Sequence, residues 1–398
     1  MNSDFSALDA FLDDAGVDGF LIDAAGDDSD QVYLSGFDAP DPFHTLYDGE
    51  VHLLVSSLEY GRAKKESDAA TVDRHADYEM RSLVEDHGRL EGGRRVLASF
   101  LDERNVGSVA VPARFPLATA DGLREQGIDV RTPESPPIGR GGANVIETIR
   151  ATKTDEEIEH VATAQEANEA AMEAAEDLVR AATVEGDELH YEGEPLTSER
   201  VKEEIEVTLL RHGCALDETI VACGANAADP HDRGSGPLTA GEPIIVDIFP
   251  RDKSTKYHAD MTRTFCKGDP SDEIREWYDL TAAAKEAALA LVEPGVTGAD
   301  VHDAVCDVYE DAGEPTLRSD ETTETGFIHN TGHGVGLDVH EQPLVGPGGG
   351  ELEPGHVITI EPGLYDPAVG GVRIEDIVVV TEDGYRNFTS YPEALVVE

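Results

Sequence analysis

Basic residues are scarce in this chain of 398 residues: 30 Lys and Arg stand against 83 Asp and Glu, a formal charge of −53. A field of that sign repels nucleic acid and anionic membranes, so neither is an expected partner. It suits a protein kept in solution at high salt, where counterions screen the self-repulsion. A melting temperature that rises with added KCl is the expected outcome. Cysteine is also sparse. Cys214, Cys223, Cys266 and Cys306 lie far apart without metal-ligand spacing, and read as small buried side chains or free thiols of a reducing compartment. No apolar run approaches about 18 residues and no basic-then-apolar leader is visible, which makes the cytoplasm the expected location. Apolar periodicity and glycine-rich turns along the whole sequence exclude an acidic disordered chain.

The length predicts about two domains. Residues 1–145 read as a small α/β unit. Phe5, Leu8, Phe11 and Leu12 have helical spacing, and Gly19–Ile22, Val51–Val55, Arg95–Ala98 and Val109–Val111 read as strands. A short helix is expected over Ala118–Gln126. The Pro- and Gly-rich stretch Pro133–Asn144 marks a boundary. In residues 146–398 a long helix should start at a capping box formed by Thr154 and Glu157. Asp187–Ser198 reads as a loop, followed by a helix. Further helices are expected over Ser271–Val292 and after Thr297, with Asp300 completing the cap.

Chemistry concentrates in the last third. Strand-like runs over Pro243–Phe249, Val357–Ile360 and Val372–Val380 carry or adjoin carboxylates. A carboxylate in such a run must be exposed, paired or bound to a cation. Asp247 alone could merely end a strand. Asp260 follows thirteen residues later, the spacing of a hairpin with Arg251–Lys256 at its tip. His333 stands among Gly332, Gly334 and Gly336, which permit close backbone approach. Glu361 precedes Pro362-Gly363, and Glu375 follows Arg373 by two residues. Gathered together, Asp247, Asp260, Glu361 and Glu375 would repel and resist deprotonation. Two divalent cations remove that objection. Oxygen-rich ligation with one imidazole suits Mn2+, Co2+ or Zn2+ and does not choose among them. It does not suit a structural zinc site, which is richer in cysteine.

The ordered strings Val246-Asp247, Ala259-Asp260-Met261-Thr262-Arg263-Thr264-Phe265, Thr331 to Glu341, Ile360-Glu361-Pro362-Gly363 and Val372-Arg373-Ile374-Glu375-Asp376 resemble the creatinase/methionine aminopeptidase superfamily, the pita-bread metallopeptidases of family M24. Within it they resemble the proline-directed branch, the Xaa-Pro dipeptidases (prolidases) and Xaa-Pro aminopeptidases. The resemblance implies an α/β (α+β) chain with a creatinase-like N-terminal domain before the pita-bread domain. It also implies a homodimer, short peptide substrates and two metal ions, Mn2+ before Co2+ or Zn2+. By position, Asp247 would bind one cation, His333 and Glu361 the other, with Asp260 and Glu375 bridging. Glu361 would shuttle the proton, and His340 would hydrogen-bond the substrate carbonyl. His231 would hold the leaving-group side, His329 would line the proline pocket, and Arg373 would pair with Asp247 or a substrate carboxylate. Two departures stand beside the first ligand. Asp247-Ile248-Phe249 replaces the branch's frequent Asp-x-Gly, and the following hairpin is longer. The retained carboxylates weigh against a metal-free creatinase and against a non-catalytic peptide- or protein-binding relative. An aminopeptidase of other specificity is the remaining alternative.

Overall fold

The computed structural model describes residues 5–132 and 145–398. The expected boundary stretch Pro133–Asn144 lies outside these, Asn144 being its last residue. The chain divides into two compact units, Met1–Arg150 and Ala151–Glu398.

The first unit is built on a six-stranded mixed sheet. Its order is Thr71–Arg74, Val51–Val55, Phe43–Tyr47, Gly19–Ala24, Ser108–Ala110 and Asp129–Arg131. The predicted helix at the start spans Ser6–Ala15 and buries Leu8 and Leu12. The helix near its end spans Leu117–Glu125. Arg95–Ala98 is not a strand but part of the helix Arg89–Glu103. Its buried residues Gly92, Val96, Leu97, Phe100 and Leu101 recur every three to four positions, a period that four residues are too few to display.

In the second unit the capping box forms as expected. The Thr154 hydroxyl accepts from Glu157 N, and the Glu157 carboxylate accepts from Thr154 N at 2.7 Å. The helix Asp155–Ala181 follows, and with Ser198–Arg211 it packs on one face of an antiparallel sheet, Thr219–Cys223, Ile244–Ile248 and Met261–Phe265. Helices Asp272–Leu289 and Gly298–Ala312 pack instead against strands Val357–Ile360, Gly370–Arg373 and Asp376–Thr381. Asp187–Ser198, read as a loop, contains strands Glu188–Tyr191 and Glu194–Pro195, the first of which pairs with both the second and Thr183–Glu185. Polarity misled there, because small exposed strands need no apolar face.

The run Val372–Val380 is not one strand. It breaks at Ile374-Glu375, with Gly370–Arg373 in one sheet and Asp376–Thr381 in another. The predicted hairpin does form: Asp247 lies opposite Thr262 and Ile248 opposite Met261. Val246 and Ile248 enter the core beneath the helices, so alternation sends Asp247 to the other face. Among the described residues no helix is long and apolar enough to cross a membrane.

Candidate functional site

The polar faces of these sheets bring Asp260, His333 and Glu375 together, with one ligand atom from each lying within 4.8 Å of the others. His333 Nε2 is 3.7 Å from Asp260 Oδ2 and 3.4 Å from Glu361 Oε1. Asp247 stands apart from the tight trio among the described residues. Its Oδ2 accepts from Arg373 Nη2 at 2.7 Å, while its buried Oδ1 has no hydrogen-bond partner. Arg373 therefore pairs with Asp247, the first of its two expected roles.

Local structure explains each placement. His333 sits on the short strand Gly332–Gly334, between Glu341–Val345 and Val357–Ile360. A Cβ on Gly332 would meet Thr359 O at 1.9 Å, and one on Gly334 would meet Gln342 O at 2.0 Å. Close strand approach, rather than left-handed backbone, is what these glycines supply. His333 N donates to Thr359 Oγ1 at 3.1 Å. Glu361 follows the strand Val357–Ile360, and its N–H donates to Thr331 O at 2.8 Å.

His340 is exposed, and its ring packs edge-on to His333 with centroids 4.3 Å apart. Its loop is held from behind by Glu341, which binds Lys153 at 2.9 Å in a buried ion pair and accepts from Asp338 N. His329 Nε2 lies 3.1 Å from the Tyr365 hydroxyl, which accepts from Arg373 Nη1 at 2.8 Å. A continuous chain thus runs His329–Tyr365–Arg373–Asp247. His231 is exposed on the turn after Pro230, whose carbonyl accepts from Arg373 Nη1 at 3.4 Å. It lies near enough to influence the charge state of both His329 and His340. The structure thus places every expected site residue on this second unit. The buried participants Tyr365, Thr262 and Thr359 were not singled out in the sequence. Thr262 had a signal, as the middle of Met261-Thr262-Arg263, whereas Tyr365 had none.

Burial raises the Asp260 carboxyl well above the carboxylate range, and the charges of Glu375, Asp247 and Glu361 add to the effect. Glu375 is raised by burial and then by Glu361 and Asp247. Burial lifts Glu361 to about 8. His333 is pushed down to about 3 by burial and by His340, so its imidazole is neutral and can donate a lone pair. These are acids that need a positive charge in their midst. Without one, the fold holds protons there more tightly than the unfolded chain, whose carboxylates titrate near 4.3 (roughly). The cation-free fold then loses stability as pH rises from the unfolded value towards the folded one, which is about 8 at Glu361. A bound cation replaces those protons and removes the loss. The gap in melting temperature between Mn2+-loaded and chelator-treated protein should therefore widen from about pH 5 to about pH 8. A gap independent of pH would contradict this.

A sheet-borne cluster of crowded carboxylates around one neutral imidazole, with an unpartnered buried carboxylate oxygen beside it, defines a metallohydrolase-type centre. Comparison with known proteins places it further. Residues 159–382 match the model of metallopeptidase family M24, and residues 5–140 match the creatinase/prolidase N-terminal domain. The chain belongs to that family and has its pita-bread fold with a creatinase-like N-terminal domain. A probable dipeptidase PepE of Mycobacterium tuberculosis is 40% identical over 180 residues, 45% of each protein, so that match covers less than half of either. An Xaa-Pro dipeptidase of Pyrococcus furiosus is 28% identical over 401 residues, 100% of both. A solved prolidase from Pyrococcus horikoshii OT3 is 25% identical, with TM-score 0.78 over 98% of each chain.

Proposed function

We propose that this metallopeptidase hydrolyses the Xaa-Pro bond of dipeptides or short peptides, with the chemistry carried by residues 146–398 and the creatinase-like domain formed by 1–145. The observation that carries the reading is the meeting of Asp260, His333 and Glu375, with Glu361 3.4 Å from His333. The donor set fits two divalent cations, Mn2+ before Co2+ or Zn2+: four carboxylates balance their charge, and the orphaned Asp247 Oδ1 offers a lone pair. Asp247, Asp260, His333, Glu361 and Glu375 would hold them. Bound there, they supply Lewis acidity that polarises the scissile carbonyl and lowers the pKa of a water.

The remaining work belongs to the side chains. Glu361, half-buried beside His333, accepts the proton that water gives up and passes it to the proline nitrogen as the bond breaks. His340, projecting beside His333, donates to the carbonyl oxygen as charge builds there. His231 holds the leaving-group side. His329, fixed through its ring by Tyr365, lines the wall for the proline ring. The imide nitrogen of Xaa-Pro carries no N–H, so a site that grips the carbonyl and the ring loses nothing by its absence. The free thiols and acidic surface favour a reducing cytoplasm of high salt, and a homodimer is the proposed assembly.

Hydrolysis of Ala-Pro beside Ala-Pro-Gly and Ala-Ala tests the reading. Cleavage of Ala-Pro with Ala-Ala left intact is expected. Equal turnover of Ala-Ala would overturn proline specificity, and turnover of the tripeptide would replace a dipeptidase with an aminopeptidase.

A further inference from the structure

The break between Arg373 and Asp376 exposes an unusual degree of support around Glu375. Its N–H donates to Thr262 O at 3.1 Å, and its carbonyl accepts from Arg263 Nη1 at 2.6 Å. Its Oε2 accepts from the Thr262 hydroxyl at 2.8 Å. Arg373 Nε donates to the same hydroxyl oxygen at 3.2 Å. An ionised Glu375 carboxylate can only accept, so in the cation-bound state the hydroxyl's one proton is directed to it.

Arg263 lies on the opposite face of the same strand and is 1% exposed. All its N–H groups are engaged. Nη1 donates to Thr262 O as well as to Glu375 O, at 2.9 and 2.6 Å. Nη2 donates to Asp376 Oδ1 and to Tyr391 O, at 2.9 and 2.8 Å. Nε donates to Pro392 O at 3.3 Å. A guanidinium so placed welds the hairpin strand, the strand break and the segment near residue 391 into one rigid piece. Lysine, a point charge with tetrahedral donors, cannot reproduce that fork.

We infer that Thr262 and Arg263 are a two-sided clamp that sets the Glu375 carboxylate for cation binding, Thr262 holding its side chain and Arg263 its backbone. Both are positioning residues, since neither reaches the reacting atoms. The inference rests on the two-cation reading above. It predicts that affinity for a cation depends on a hydroxyl and a guanidinium that do not themselves ligate it.

Titration of the full chain with Co2+, followed by calorimetry and by the visible absorption of the bound ion, tests it. Wild type should bind two equivalents. Thr262→Val and Arg263→Lys should weaken the binding of at least one by about 10- to 100-fold and alter the absorption band. Thr262→Ser, which keeps the hydroxyl, should restore both. Thr262→Val suits a buried strand position and carries the test if Arg263→Lys fails to fold. Glu393→Gln removes a partner of Lys285 rather than of Arg263, and should leave Co2+ affinity unchanged. Two equivalents in wild type with unaltered affinity and band in Thr262→Val would overturn the clamp alone. A loss in Glu393→Gln matching that in Arg263→Lys would also overturn it, by showing that loosening anywhere in the network suffices. No Co2+ bound by wild type would overturn the clamp together with the reading beneath it.

Discussion

Replacement of Glu375 by alanine is expected to abolish peptide hydrolysis, by more than about 10³-fold in kcat/KM, at saturating Mn2+. Glu375 is 2% exposed and contributes one of the three side chains that converge within 4.8 Å. Removing it takes away a carboxylate from the centre of the cluster and leaves the Thr262 hydroxyl without its acceptor. The cation content should fall with the activity, because two like charges cannot be kept close without the anions between them. Measured by elemental analysis, fewer equivalents than wild type should remain after dialysis. The chain itself should stay folded, since the substitution relieves repulsion among buried acids. Full turnover in this variant would remove Glu375 from the machinery.

The second large effect concerns His340. Its replacement by alanine should lower kcat by about 10²-fold while KM changes little, the pattern of a donor that matters as charge develops on the substrate oxygen. Metal content should be unchanged. His340 packs against His333 at 4.3 Å between ring centroids but is itself exposed, so removing it leaves the carboxylate cluster intact. A rise in KM with kcat preserved would reassign it to ground-state binding. Loss of cations along with activity would make it a support for His333 instead.

The sequence showed the chemistry of the site better than its framework. Asp247, Asp260, Glu361 and Glu375 could be picked out because carboxylates in or beside apolar runs demand a partner. His333 could be picked out because three glycines surround it, and the structure shows why: carbonyls of neighbouring strands at Gly332 and Gly334, and the Glu341 carboxylate at Gly336, occupy the space a Cβ would take. The capping boxes at Thr154 and Thr297 were legible because both partners lie within one turn. What could not be read depends on contacts between distant segments. Tyr365 joins His329 to Arg373 only when two strands meet, and nothing in its flanking residues marks it. Lys153 and Glu341 form a buried ion pair across 188 residues. The break at Ile374-Glu375 is invisible in a run rich in β-branched residues, because the hydrogen bonds Glu375 makes there go to Thr262 and Arg263 on another strand. Arg95–Ala98 failed for a local reason, being too short a window to separate a buried helix from a strand.

The same contrast separates the two halves of the second unit from each other. Each pairs a sheet with two helices, and the apolar faces that hold them together follow ordinary alternation. Asp247 is left over on the opposite face of its strand and His333 on a short one, while Asp260, Glu361 and Glu375 sit at strand ends or the break, where burial without cations would be unfavourable. Without a cation these acids hold protons, and a bound cation would take their place.

The most direct measurement is anomalous X-ray scattering from a crystal of the protein grown with Mn2+. Two neighbouring peaks are expected, enclosed by Asp247, Asp260, His333, Glu361 and Glu375, with Thr262 bonded to the Glu375 carboxylate. Manganese bound elsewhere, or none at this cluster, would contradict the account.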